Sequence, residues 1–292
     1  MADQATYYFG RLNLMASYDD RSPFLMQGLH AREPVEVRKI RWAFFDVGEI
    51  SGNDGVFAYG FLAKYRATTD EEVAREDIGA LADTPIANLV VAKSRFFIHL
   101  DTGIIAFHGV QGQIDVDLFC NRFKRVFEHA YGRFFVAADI EMIQEDYKLL
   151  EVLSQFSSIT RLRLSLHPSH GEQREQWKDV DDELRRKGVD NYSETLEAGR
   201  QSLSLRVQMD KNLIAKIAMA QDGYGRAQVK GRLHGRIKAV SSSDNPVNSS
   251  VPNNDRTLEE LLAGLSPTFF HLFTRFAAQP RQQQAAAGTA NA

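Results

Sequence analysis

Short hydrophobic runs separated by polar, turn-forming residues give the first third of the chain a β-rich pattern. Tyr7–Met15, Ile40–Ile50 and Val56–Ala67 are short runs rich in aromatic and branched residues, the composition of strands. Between the last two lies Ser51–Gly55 (SGNDG), whose Asn, Asp and Gly residues predict a hairpin turn. Leu89–Leu100 and Gly103–Val110 predict a second hairpin around Asp101-Thr102-Gly103. Two hairpins imply an antiparallel sheet.

The period then changes. Val116, Phe119, Cys120, Phe123, Phe127 and Ala130 follow helical spacing within Asp115–Ala130, with Asp117, Asn121, Arg122, Lys124, Arg125 and Glu128 opposite them. A short strand is predicted over Arg133–Ala138 and a helix over Glu145–Phe156. Thr160–His167 alternates strictly, with Leu162, Leu164 and Leu166 on one face and Arg161, Arg163, Ser165 and His167 on the other, as in a half-buried strand. Glu172–Lys187 reads as a charged helix ending at Gly188, and within its Lys178–Lys187 run (KDVDDELRRK) Asp179–Glu183 precede Arg185–Lys187, as the helix dipole favours. Ser202–Gln208 reads as a strand, and Lys211–Gln221 as a helix capped by Asp210 and ended by Gly223. Arg226–Val240 reads as one long strand and Ser241–Asn254 as a loop. Arg256–Ala277 reads as helix, with Pro267 starting a second segment.

Strands, then mixed elements, then terminal helices point to an α+β fold. The expected division is a β-rich part over 1–112, a mixed α/β part over 113–250, C-terminal helices over 251–279 and a disordered tail over 280–292. No repeat of 20–50 residues is present.

Composition narrows this little. The 292 residues carry 35 Lys+Arg against 38 Asp+Glu, a net charge of −3 that excludes a globally basic protein. Cys120, the single cysteine, cannot form an intramolecular disulfide, which suits a reducing compartment. With no signal-peptide pattern and no apolar run of membrane-spanning length, a cytoplasmic location without membrane partners is expected.

One stretch breaks the neutral balance. No acid lies between Asp222 and Asp244, while Lys230, Arg232, His234, Arg236 and Lys238 occupy alternate positions, preceded by Arg226. On one strand they would share a face at ~7 Å intervals, twice the ~3.3 Å rise. Such a row repels itself unless an anion sits on it, and nucleic-acid phosphate is the natural anion. Few aromatics interleave, so base stacking is not indicated. The structural alternative pairs these cations with Glu194 or Glu197 of a neighbouring strand.

Other candidates have simpler readings. Asp222-Gly-Tyr-Gly225 follows a helix and precedes a strand, the reverse of a dinucleotide or P-loop order, so it reads as a helix stop. His167 and His170 could ligate a metal but have no evident partners in sequence, and His99 with Asp101 fits turn chemistry. Cys120 reads as a core thiol, and the aromatics at Trp42–Phe45 and Phe57–Phe61 as core. Asp139, Glu141, Asp146 and Lys148 resemble the carboxylate–lysine pattern of restriction-type nucleases, which needs a divalent metal. No metal, cofactor or catalytic residue is assigned on this basis.

The segments FFIHLDTGIIAFHGV (96–110), LSLHPS (164–169) and AQDGYGRAQVKGRLHGRIKAVSSSDNP (220–246) resemble a family of bacterial proteins of unknown function associated with mobile elements and phage-defence islands. The strand-rich early half also resembles the DNA-binding subunit of the Kiwa defence system. The resemblance implies a cytoplasmic defence component that binds nucleic acid or a phage product, and it carries over no catalytic residue. Three functions are thereby in view: a nucleic-acid-binding defence protein, a metal-dependent nuclease using Asp139, Glu141 or His170, and an assembly subunit acting as a homo-oligomer or with a protein partner.

Overall fold

A computed structural model describes residues 4–15, 20–75, 80–132, 136–146, 148–169, 174–199, 204–252 and 256–276, with backbone alone over 68–75 and 80–86. In it the N-terminal aromatic run forms β1 (Gln4–Met15), followed by α1 (Arg21–Leu29), β2 (Val35–Val37), β3 (Ile40–Gly52), β4 (Gly55–Arg75), β5 (Ala80–His99), β6 (Ile104–His108), α2 (Val116–Ala130) and β7 (Ala137–Met142). Next come α3 (Lys148–Ser154), β8 (Phe156–Leu166), α4 (Lys178–Arg186), β9 (Tyr192–Glu197), α5 (Lys211–Gln221), β10 (Gly225–Leu233) and β11 (Arg236–Ser241). The chain closes with β12 (Asn248–Pro252) and α6 (Leu258–Phe276). The fold is α+β, as the order of periodicities predicts.

Strands β12-β1-β6-β5-β4-β3-β2 form an antiparallel sheet, with β7 also on β1. One edge of β1 holds β6, while β12 and β7 follow each other along the opposite edge, at Gln4–Tyr8 and Gly10–Met15. The alternation of β1 divides the work. Ala5, Tyr7 and Phe9 face α6, whose Leu261, Leu262, Leu265, Phe269, Leu272 and Phe276 cover that side. Leu12 and Leu14 face the other core, built with α1 and α2. There Phe119 of α2 stacks on Phe107 at 4.0 Å between ring centroids, and Asp115 Oδ1 caps the helix by accepting from the Leu118 amide at 2.8 Å. Each such buried aromatic contributes roughly 1.5–3 kcal/mol.

The second sheet, β11-β10-β8-β9, is also antiparallel. Its inner face carries Leu162, Leu164, Leu166, Ala227, Val229 and Leu233 against α3, α4 and α5. Asp210 Oδ1 caps α5 through the amides of Asn212 and Leu213, and Gly223 (φ +83°) ends it where a Cβ would meet Arg11 Cβ at 2.8 Å. Among the described residues no helix is long and apolar enough to cross a membrane.

Several local expectations fail for identifiable reasons. The Ser241–Asn254 stretch contains β12, because backbone pairing to β1 needs no apolar alternation in NSSVP. The expected strand at Ser202–Gln208 is replaced over Val207–Met209 by a single 3₁₀ turn. The edge strand is instead β9, whose polar sequence conceals it. Helix α3 is shorter than expected because Phe156 already belongs to β8. Pro267 sits inside α6, which runs through it because buried residues anchor the helix on both sides. Packing also departs from a division at 112: α2 and β7 belong to the first sheet's core, and β12 returns to it. Arg133–Phe135, His170, Glu172–Gln173, Ser202–Leu203, Asn253–Asn254, Ala277 and the tail 280–292 lie outside the described residues.

Candidate nucleic-acid interface

The acid-free stretch does not form one strand. His234 (φ +48°) and Gly235 (φ +79°) both adopt left-handed backbone, the signature of a two-residue type I′ turn, and Leu233 pairs with Arg236 across it. Histidine is one of the few side chains enriched in that region, so the His-Gly pair is the sequence signal for the turn. The reversal corrects the single-face expectation. Directly paired residues share a face, and Arg232 lies opposite Ile237 while Lys238 lies opposite Gly231. Arg226, Lys230 and Arg232 therefore share the outer face, whereas Arg236 and Lys238 belong to the other side and His234 occupies the turn. All of β11 is at the sheet edge, where exposed cations oppose pairing with another edge.

The outer face gains cations from a strand far away in sequence. β8 pairs with β10 so that Lys230 meets Arg161, Gln228 meets Arg163 and Arg226 meets Ser165. Five cations thus occupy two adjacent strands, Arg161 and Arg163 beside Arg226, Lys230 and Arg232. The acids of β9 divide. Glu197 binds Arg161 at 2.6 Å on the outer face, while Glu194 turns inward to Lys216 of α5 at 2.7 Å. Among the described residues, Arg163, Lys230 and Arg232 have no acidic partner; Arg232 Nη1 donates only to the Gly235 carbonyl, at 3.3 Å. No aromatic ring stands on this face among the paired positions of the four strands. Arg161 and Arg163 were visible as one face of an alternating strand, but only the β8–β10 register joins them to Lys230.

Arg226 leads to a second group at the foot of the face. Its Nε lies 3.3 Å from Glu141 Oε2, and Lys124 Nζ of α2 lies 3.4 Å from Asp139 Oδ2. Asp139 and Glu141 alternate along β7 with Ile140 turned into the core. His167, at the end of β8, brings a ring nitrogen within 4.8 Å of both carboxylates. Burial pushes Glu141 up to about 7, and Asp139 adds to that rise while Arg226 opposes it. Asp146 and Lys148 do not join this group: Asp146 binds Arg174 and Arg275, and Lys148 begins α3.

The remaining candidates resolve into structure. The His99 ring lies within hydrogen-bond distance of Thr102 Oγ1 (3.0 Å) and the Asp54 carbonyl (3.1 Å), locking the hairpin turn. Cys120 contacts Met142 Sδ at 3.9 Å, and burial pushes its thiol up. Trp42, Phe44 and Phe57 are core, with Phe45 at 40% exposure.

Asp222 ends α5 in the expected stop, yet its side chain has a larger task. Its carboxylate accepts from Arg275 Nη2 (2.6 Å), Trp177 Nε1 (2.8 Å) and Arg174 Nη1 (3.2 Å). Its backbone carbonyl accepts from Arg11 Nε at 3.2 Å, and the Arg11 guanidinium lies between the rings of Tyr224 and Phe276. Arg11 is in β1 and Arg275 in α6, so this buried network ties the second sheet's unit to the first. It fixes the basic face relative to the rest of the molecule. No protein-family model matches the chain, and no curated protein does.

Proposed function

We propose that the protein binds nucleic acid through its phosphate backbone on the outer face of β8 and β10. The observation that carries this reading is the trio Arg163, Lys230 and Arg232, cations on adjacent strands with no acid among the described residues to neutralise them. Adjacent strands lie about 4.8 Å apart and alternate residues about 7 Å apart, so the three charges form a compact patch rather than a line. A solvated protein surface gains nothing from that repulsion; a polyanion that releases its counterions on binding does. The lack of stacking rings favours backbone contact without base readout. In the defence setting implied by the sequence resemblance, such a face would engage invading nucleic acid irrespective of its sequence.

The triple substitution R163A/K230A/R232A tests it. Binding to duplex DNA, single-stranded DNA and RNA of mixed sequence is measured by fluorescence anisotropy across a salt series. The variant is expected to bind more weakly on every sequence, with the slope of log K against log salt reduced by about three, one for each cation lost. An affinity and slope equal to those of the unsubstituted protein would overturn the proposal. Substituting Arg236 and Lys238, on the other side of the sheet, is expected to have the smaller effect.

A further inference from the structure

We propose that Asp139, Glu141 and His167 form a binding site for one divalent transition-metal ion. The three side chains come from different sheets, two from β7 and one from the end of β8, and their ligand atoms lie within 4.8 Å of one another. Carboxylate oxygens and an imidazole lone pair are all acceptors, and acceptors gathered this closely repel unless a cation lies among them.

Three further observations point to a metal. His167 is 4% exposed, and its Nδ1 lies 3.2 Å from the Asp190 carbonyl. That bond places the proton on Nδ1 and leaves Nε2 as the ring nitrogen with a lone pair, the arrangement by which protein ligands orient a metal-binding imidazole. The Asp190 carbonyl is thus the outer support of the site. The cations already present are too few. Among the described residues, Asp117, Glu128, Asp139 and Glu141 face Lys124 and Arg226, four carboxylates to two cations. Finally, Lys124 approaches Oδ2 of Asp139 and Arg226 approaches Oε2 of Glu141. One oxygen of each carboxylate remains for a metal, since a carboxylate accepts at both oxygens.

Ligand atoms held about 2.0–2.2 Å from a divalent ion stand roughly 3–3.5 Å apart, so side-chain rotation alone closes the site. An imidazole with two carboxylates suits Mn²⁺ or Zn²⁺, whereas Ca²⁺ and Mg²⁺ prefer sites built from oxygen alone. The proposal is independent of the nucleic-acid reading, because its test uses the metal alone.

The full chain is stripped with a chelator and titrated with Mn²⁺ and Zn²⁺ by calorimetry, and with Co²⁺ by visible absorption. One equivalent is expected to bind. Asp139→Asn and His167→Gln should each weaken binding at least about tenfold, by analogy with losses of that size when supporting residues of metal sites are removed. Lys124→Met removes a competing cation and is expected to tighten binding, an effect that misfolding cannot imitate. Absence of saturable binding of all three ions overturns the site. So does binding that is unchanged in Asp139→Asn, His167→Gln and Lys124→Met proteins with native circular dichroism.

Discussion

Replacing Asp222 with Asn removes a charge from the centre of the network that joins the two sheets. Asp222 is 1% exposed and Arg275 is 3% exposed, so water cannot take over their interaction. Three side-chain donors converge on the carboxylate: Arg275, Arg174 and the Trp177 indole. An amide of the same shape accepts through one atom only, and its NH₂ group faces donors. Asp146 compensates in part, since it lies 2.9 Å from Arg275 Nε and 3.1 Å from Arg174 Nη1, but its side chain is 40% exposed. Breaking one partner of a buried ion pair costs about 3–5 kcal/mol, which includes the charge left behind. At about 2–4 °C per kcal/mol for a chain of this size, the melting temperature should fall by roughly 10 °C in differential scanning calorimetry. Because Arg11 and Arg275 belong to the first sheet's unit, the loss should also separate one melting transition into two. The double variant D222N/R275Q should recover part of the loss, since it removes the stranded guanidinium. A melting temperature within about 2 °C of the parent protein, with one transition, would refute the argument that this network fastens the units together.

Other consequences follow from particular contacts. Gly235→Val places a branched residue at φ +79° with no neighbour within 4 Å, so its cost is backbone strain alone, roughly 1–2 kcal/mol by thermal melting, whereas His234→Asn should be neutral or stabilising in the type I′ turn. Phe269→Ala opens a cavity between Phe9 and Phe57, and denaturant unfolding should show a loss of about 3–5 kcal/mol. Asp181, fully buried, accepts from the Ser169 amide and hydroxyl and from Arg185 Nε; Asp181→Ala should expose the Ser169 amide to rapid hydrogen exchange, and unchanged protection would count against that role. Cys120, its thiol pushed up by burial, should react with a disulfide reagent at pH 8 far more slowly than the same thiol in urea-unfolded protein, because less thiolate is present and the half-buried side chain is less accessible.

Local patterning was a sound guide wherever one residue's neighbours in sequence are also its neighbours in space. The two N-terminal hairpins, the caps of α2 and α5, and the alternation of β8 are of this kind. It misled where a single turn reverses parity: the alternation from Arg226 to Lys238 is unbroken in sequence, yet His234-Gly235 sends Arg236 and Lys238 to the opposite face. It was silent over β9 and β12, which are short and mostly polar and bury only Tyr192 and Leu196, or Val251, too few apolar positions to write a period into the chain.

The sequence by itself determined the α+β class, most elements, and the presence of an acid-free cationic stretch, because burial of one face writes a period into the chain. The tertiary structure alone decided which cations share a surface, since strand order places Arg163 of β8 beside β10. It alone brought Arg11, Asp146, Arg174 and Arg275 onto Asp222, and Asp139 and Glu141 to His167. Those groups are spread over the length of the chain. Their electrostatic partnership depends on distance and on the exclusion of water, and neither exists until the two sheets have closed around them.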